Sequence, residues 1–254
     1  MKLFKHISVI FATIPLLVLG CTPSSQNLMM KADLIALDGS DSESLFENLA
    51  AATTHVQPPR PMKIDWATRN IIRSYGETIR KYSLQYGFDW RLTLAVMKAE
   101  SSFLDSAVSP VGAEGLMQIM PATQLDVAKA LDLESVVEPQ ANIRAGIYYL
   151  SRLYRLFDEA EENDRLRLTL AAYNAGPGRV FDAQDIARYM NEDAMRWASV
   201  RDALPLLSSR YYTLHQQVWV GQKPRSGVFS NHRETISYVE KVMNYYDEYR
   251  LALN

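Results

Sequence analysis

The sequence predicts a mainly α-helical domain that begins near residue 64 and contains at most a small β-hairpin. Apolar residues recur at steps of three and four residues in two stretches, which places them on one face of a helix. The two stripes are Ile143, Ile147, Leu150, Leu153, Phe157 and, nearer the C-terminus, Ile236, Val239, Met243, Tyr246. No segment alternates apolar and polar residues over the length of a strand, and only residues 218–220 favour a short hairpin arm.

The first twenty residues have the layout of a secretory signal rather than of a folded element. A short basic region precedes the apolar run 7–20, which is too short to span a membrane comfortably. The run ends in Gly20-Cys21, which resembles a lipobox. We therefore predict a lipoprotein signal peptide at 1–20 and lipidation of Cys21. The alternative is an ordinary signal peptide followed by a chance cysteine.

The residues after this signal predict an anchored and tethered domain. A lone cysteine in an exported protein has no internal disulfide partner, which favours lipidation as its role. The residue after Cys21 is Thr22 and not Asp. By resemblance to sorted lipoproteins, the absence of Asp at this position points to the periplasmic face of the outer membrane. Residues 21–63 are rich in Ser, Asp, Thr and Pro, so we predict a flexible tether before a folded domain at 64–254.

Composition excludes several classes of function. The formal net charge of −2 gives no reason to expect nucleic acid as a partner. The four histidines lie far apart in the sequence and there is one cysteine, so no metal-ligand cluster is predicted.

The folded part contains six further predicted helices with similar apolar patterns. Their ranges are 65–86, 89–101, 121–131, 164–174, 178–190 and 195–207. The acidic stretch at 158–164 lies between two helices and is interpreted as a solvated connector.

Glu100 is the candidate catalytic acid. Leu92, Val96 and Glu100 stand at i, i+4 and i+8, so they lie on one face of a helix. A carboxyl group at the end of an apolar stripe is partly desolvated, which raises its pKa. The helix dipole disfavours negative charge near a C-terminus and acts in the same direction. A glutamic acid that keeps its proton near neutral pH can act as a general acid. The alternative is a surface glutamate at a frayed helix end.

Residues 109–121 form a glycine-punctuated loop that leads into a helix opening at Pro121. Gly112 and Gly115 permit tight turns and the close approach of a ligand. Gln118 offers both an amide donor and an acceptor, as recognition of sugar hydroxyl and acetamido groups requires. Taken alone, this loop is also compatible with any turn before a helix.

Two further blocks follow. Residues 171–180 end one helix at Gly176 and start another, which by itself indicates a helix–turn–helix corner. Residues 234–239 open the last helix, where Asn231 and Glu234 have the spacing of a capping box. A capping role and a role in substrate contact are both compatible with this last block.

Taken in order, four blocks resemble the Slt-type lytic transglycosylases of glycoside hydrolase family 23, which share the goose-lysozyme fold. The matching blocks are Glu100-Ser101, Ser109 to Pro121, Ala172 to Val180 and Glu234 to Val239. The resemblance covers residues 65–249 and implies a lysozyme-like, goose-type helical domain. Within the family, residues 197–212 look closest to the membrane-bound lytic transglycosylase F subgroup.

The resemblance implies roles around the scissile bond. Glu100 would be the acid and then the base of the reaction. Ser109 and Gln118 would hold the N-acetyl group or sugar hydroxyls beside the bond, and Met117 would pack against the sugar.

It also implies roles for the two later blocks. Tyr173 would position the Glu100 carboxyl group, and Asn174 would support that corner of the fold. Glu234 and Tyr238 would face the groove near the stem peptides.

The implied reaction cleaves the MurNAc–GlcNAc β-1,4 bond of peptidoglycan strands and closes a 1,6-anhydroMurNAc ring, with a single glutamate and no cofactor. Two alternatives stay open. A goose-type lysozyme would deliver water and would need a second acid, for which Asp105 and Glu114 are the candidates. A peptidoglycan-binding scaffold would bind the strands without cleaving them.

Overall fold

The computed structural model describes residues 64–253. The predicted signal peptide, the lipidation of Cys21 and the tether at 21–63 lie outside the described residues. In the described part, nine α-helices follow one another along the chain. They are α1 (Trp66–Gln85), α2 (Trp90–Ser101), α3 (Pro121–Leu131), α4 (Pro139–Tyr154), α5 (Glu162–Ala175), α6 (Pro177–Tyr189), α7 (Trp197–Ala203), α8 (Tyr212–Val218) and α9 (His232–Ala252). Short 3₁₀ helices lie between them, at Arg155–Phe157, Leu204–Leu207 and Ser209–Tyr211.

This architecture confirms the mainly α-helical prediction. The described residues contain isolated antiparallel β-bridges, from Glu114 to Val108 and to Ile119, but no strand. The hairpin arm predicted at 218–220 is wrong, because α8 runs to Val218 and Trp219 closes it. The backbone N–H of Trp219 donates to the His215 carbonyl, and its largely buried indole donates to Asp185.

Helix α2 lies at the centre of the packing. Residues 92–97 are all buried, so this helix is enclosed on more than one face. It packs against α1 on one side and along α9 on the other. Full burial of one large apolar side chain stabilises the fold by about 1.5–3 kcal/mol. Burial of the middle of α2 therefore fixes the position of its C-terminal end.

At the corner between α5 and α6, a residue that favours the end of a helix is followed directly by one that favours the start of the next helix. Gly176 has a φ of 88°, a left-handed conformation that glycine adopts without steric cost. Pro177 opens α6 at the first position, where its missing N–H has no partner to lose. The corner predicted from residues 171–180 is confirmed.

Helix α9 begins at His232, and Asn231 precedes it without forming the capping box that its spacing from Glu234 allows. The Asn231 side chain makes no capping hydrogen bond to the backbone of the first turn. Glu234 is exposed in that turn, where a negative charge complements the helix dipole. Across the described range 64–253, no helix is both long and apolar enough to cross a membrane.

Candidate active site

Glu100 stands one residue before the end of α2, where the fold turns sharply. Ser102 and Phe103 have φ angles of 52° and 69°, so the helix cannot continue past Ser101. The Glu100 side chain is half-buried against α9. Its Oε1 atom accepts a hydrogen bond of 2.6 Å from the Tyr238 hydroxyl group.

Burial raises the pKa of Glu100 to about 7. The hydrogen bond from Tyr238 and the positive charge of Lys241 both act in the opposite direction, because each stabilises the carboxylate. The protonated and ionised forms are therefore both well populated near neutral pH. The pKa of Glu100 is raised, as expected from the sequence. Tyr238 and Lys241, both on α9, make this increase smaller.

Tyr238 is the residue that touches the candidate acid. It lies in the second turn of α9, is 8% exposed and donates its hydroxyl proton to Glu100. Burial and the neighbouring carboxylate raise the pKa of Tyr238 well above its ordinary value, so it stays a donor. The hydroxyl group of Tyr238 is committed to Glu100, and a place for this residue near the stem peptides stays a prediction.

Tyr173 on α5 has a different partner from the predicted one. Its hydroxyl group donates to the backbone carbonyl of Met117 over 2.7 Å, rather than to Glu100. Burial, with a smaller contribution from the nearby Glu100, raises the pKa of this phenol well above its ordinary value. Tyr173 therefore ties the loop to α5 beside the carboxyl group, and the contact that positions the carboxyl group is made by Tyr238.

The loop at 109–121 is a compact turn structure held by its own backbone. Ser109 Oγ accepts from the Ala113 N–H over 2.9 Å, which closes the turn that contains Gly112. Glu114 pairs with Ile119 through two backbone hydrogen bonds. Ser109 thus serves the loop as an acceptor and keeps its hydroxyl proton available for donation.

Gln118 sits in the loop with a φ of 45°. Its side-chain nitrogen donates to the carbonyls of Ala107 and Gly115, both over 3.0 Å. Both amide N–H groups are therefore used inside the loop. The predicted double role as donor and acceptor is wrong for this arrangement, which offers a ligand only the amide oxygen.

Met117 does not have its predicted contact. Its side chain is fully buried and packs over Gly146 of α4, where an added Cβ would lie 2.6 Å from the Met117 Cβ. A side chain without exposed surface cannot pack against a sugar. Met117 contributes to the site through its backbone, because its carbonyl oxygen accepts a hydrogen bond from the Tyr173 hydroxyl group.

Asn142 on α4 is a structural residue that the sequence analysis missed. It is fully buried, accepts from the Met117 N–H over 2.9 Å and donates to the carbonyls of Glu114 and Val136. A Cβ on Gly115 would lie 2.5 Å from the Asn142 nitrogen, so this close approach requires glycine. The only sequence signal was a polar residue beside an apolar helical stripe.

Two residues of the later blocks lie at the junction of α5 and α9. Asn174 accepts a 2.8 Å hydrogen bond from the Thr235 hydroxyl group, which joins the end of α5 to the first turn of α9. The role predicted for Asn174, support of this corner of the site, stays a prediction. Glu234 is exposed in the same first turn of α9.

The other two acids considered are not paired with Glu100. Asp105 is exposed, and Glu114 accepts a hydrogen bond from Gln124 over 3.1 Å. No carboxylate in residues 64–253 contributes to the pKa shift of Glu100. The same residues contain no cluster of three or more His, Cys, Asp or Glu side chains suited to a metal ion.

Comparison with known proteins identifies a family for the part of the chain that contains Glu100. Residues 77–195 match the family described as Transglycosylase SLT domain. The membrane-bound lytic murein transglycosylase F of Desulfosudis oleivorans is 37% identical over 172 residues, which cover 66% of this chain and 35% of that protein. Its counterpart from Pseudoalteromonas translucida is 38% identical over 187 residues, covering 71% and 37%. The chain thus spans about a third of the length of these relatives.

A solved structure shows the same fold. It is that of an inactive mutant of the lytic transglycosylase Slt from Pseudomonas aeruginosa, which is 26% identical in sequence. The match covers 71% of this chain and 25% of that chain, with a TM-score of 0.51. The family resemblance drawn from the four sequence blocks is confirmed. This chain carries, at residues 77–195, a transglycosylase SLT domain of the Slt type.

Proposed function

We propose that this chain is a peptidoglycan lytic transglycosylase that cleaves the MurNAc–GlcNAc β-1,4 bond, with Glu100 as its single acid and base. The observation that carries the proposal is the half-buried Glu100 carboxyl group, with a pKa of about 7 and a 2.6 Å hydrogen bond from Tyr238. A group with a pKa near the working pH is well suited to giving and then taking a proton. The relatives named lytic murein transglycosylase support the same chemistry.

In the first step, protonated Glu100 gives its proton to the glycosidic oxygen, and the bond from that oxygen to the MurNAc anomeric carbon breaks. The positive charge that develops is carried by an oxocarbenium-like centre or by the acetamido group of the sugar. Glu100 is then a carboxylate. Tyr238 stabilises this form, because its hydrogen bond favours the charged state.

In the second step, the Glu100 carboxylate takes the proton of the C6 hydroxyl group of the same MurNAc. The C6 oxygen bonds to the anomeric carbon and closes the 1,6-anhydro ring, and Glu100 is protonated again. No water is consumed, so a second carboxylate to activate water is not required. An oxygen held within the same sugar has a large effective concentration at the anomeric carbon.

The loop would hold the sugar beside Glu100. Gln118 presents its amide oxygen and Ser109 its hydroxyl proton, so together they offer one acceptor and one donor. Tyr173 and Asn142 fix the backbone of Met117 between them. Their contribution is to the geometry of the loop and not to proton transfer.

The test is digestion of purified sacculi by the full chain, followed by mass analysis of the soluble products. We expect muropeptides one water lighter than hydrolytic products and resistant to borohydride reduction. A parallel digest with a hydrolytic muramidase supplies the reducible reference products.

Two other outcomes would contradict the proposal. Products dominated by reducible MurNAc ends would show that water is the nucleophile, as in a goose-type lysozyme, and would make Asp105 and Glu114 the next residues to mutate. Binding to sacculi without any soluble product would instead favour a scaffold.

We further propose that Cys21 is lipidated and holds the domain at the periplasmic face of the outer membrane. The support is the apolar run 7–20 ending in Gly20-Cys21, with the polar stretch 21–63 as a tether. A lipoprotein cysteine carries more than one acyl chain, which gives stable anchoring where a single chain is marginal.

Cys21→Ala should abolish incorporation of labelled fatty acid and leave an unprocessed precursor. Cys21 is the one cysteine of the chain, so residual labelling of the variant cannot come from another thiol. The measurement is labelling together with fractionation of inner and outer membranes. A wild-type chain that takes up no label and is found free in the periplasm would contradict the anchor.

A further inference from the structure

Lys241 lies beside the candidate acid without belonging to any of the four sequence blocks. It stands on α9 three residues after Tyr238, and residues at this spacing share a helix face. Its ammonium group donates to the backbone carbonyl of Ala99 over 3.2 Å. Ala99 directly precedes Glu100, so Lys241 reaches the same turn of α2 that carries the acid.

The local backbone explains why the Ala99 carbonyl accepts from a side chain. In a continuing helix it would accept from the N–H of Phe103. That N–H donates to Ser101 Oγ instead, because the chain has already turned at Ser102. Lys241 supplies the missing donor, and a cation at a helix C-terminus also complements the helix dipole.

The charges around Glu100 are few. From α9 it faces the phenol of Tyr238 and the ammonium group of Lys241, and from α5 the phenol of Tyr173. Lys98, on α2 itself, is paired with Asp65 over 2.8 Å. Within residues 64–253, Lys241 is the one ionised group that contributes to the pKa shift of Glu100.

We propose that Lys241 is a positioning residue for the acid/base group, which fixes the last turn of α2 and keeps a positive charge beside Glu100 through both steps. The inference rests on the proposed function of Glu100. The charge favours the carboxylate that exists between the two steps, so it assists proton donation to the leaving oxygen. The same charge opposes the return of the proton to Glu100 in the second step. Lys241 therefore favours proton donation by Glu100 and disfavours proton removal from the C6 hydroxyl group.

Three variants separate the charge of Lys241 from its hydrogen bond. Lys241→Met removes both, Lys241→Gln keeps a neutral donor, and Lys241→Arg keeps the charge and the donor. Lys129→Met is the matched control, because Lys129 is an exposed lysine in the last turn of α3.

The first readout is the titration of the Glu100 carboxyl carbon by NMR in the full chain, which requires no activity. Lys241 is exposed, so its charge is screened, and we expect Lys241→Met and Lys241→Gln to raise the pKa of Glu100 by roughly half a unit. Lys241→Arg and Lys129→Met should leave it unchanged. High salt should reduce the difference between Lys241→Gln and the unsubstituted chain.

The second readout is the pH profile of sacculus digestion, which should move upward by the same amount in Lys241→Met and Lys241→Gln. An unchanged Glu100 titration in both variants would overturn the inference. A shifted titration in a chain that releases no anhydromuropeptides would leave the electrostatic role of Lys241 standing and overturn the proposed function instead. A shift in Lys241→Met but not in Lys241→Gln would assign the effect to helix capping alone and overturn the role of the charge.

Discussion

Glu100→Gln is expected to lower kcat for release of soluble muropeptides by at least about 10²-fold, and by about 10⁴-fold or more if both proton transfers depend on this group. The amide keeps the size and shape of the side chain and still accepts from the Tyr238 hydroxyl group. It cannot give a proton to the leaving oxygen or take one from the C6 hydroxyl group.

The matched control is Glu134→Gln, since Glu134 is exposed in the loop before α4. It should retain the kcat and KM of the unsubstituted chain. Activity of Glu100→Gln within a few-fold of the unsubstituted chain would remove Glu100 from the mechanism.

The stability of Glu100→Gln gives an independent check that the variant is folded. The pKa of Glu100 is raised from 4.5 to about 7 in the folded chain, so the folded state binds more protons than the unfolded state between these values. The free energy of unfolding of the unsubstituted chain should therefore fall as pH rises through that window. The variant lacks this group, so at pH 8 it should be at least as resistant to urea as the unsubstituted chain.

The helices and the acid could be predicted because their signals are local. The stripe Leu92, Val96, Glu100 fixes both a helix face and the half-buried place of the carboxyl group, whatever packs against it. Gly176 and Pro177 mark the corner between α5 and α6 by their backbone preferences alone. Each of these features depends on residues within about two helical turns.

The partners within the site could not be predicted because they depend on the packing of distant helices. Tyr173 and Tyr238 both place a phenol near Glu100, and the sequence does not say which one reaches it. The structure assigns the carboxyl group to Tyr238, 138 residues away in the chain, and gives Tyr173 the Met117 carbonyl. Asn142 was missed for the same reason, since its partners lie in a loop 25 to 28 residues earlier.

Tyr238→Phe is expected to lower kcat by about 10- to 100-fold, because a hydrogen bond to a charged group contributes about 1.5–3 kcal/mol. The ring stays in the core, so the fold should survive. Only the hydroxyl group that stabilises the Glu100 carboxylate is removed. The hydrogen bond lowers the pKa of Glu100, so its loss should raise that pKa above about 7. The measurements are kcat as a function of pH and the NMR titration of the carboxyl carbon.

The sign of the pKa change distinguishes this role from a packing defect. More of the variant is in the acid form at neutral pH, so proton donation is not limited by the population of that form. The loss of rate must then come from the less stable carboxylate between the two steps, and it should persist at every pH. Tyr245→Phe is the matched control, because Tyr245 is a half-buried tyrosine that lies two turns further along α9. A Tyr238→Phe chain with the kcat and the Glu100 titration of the Tyr245→Phe chain would show that the 2.6 Å contact has no part in catalysis.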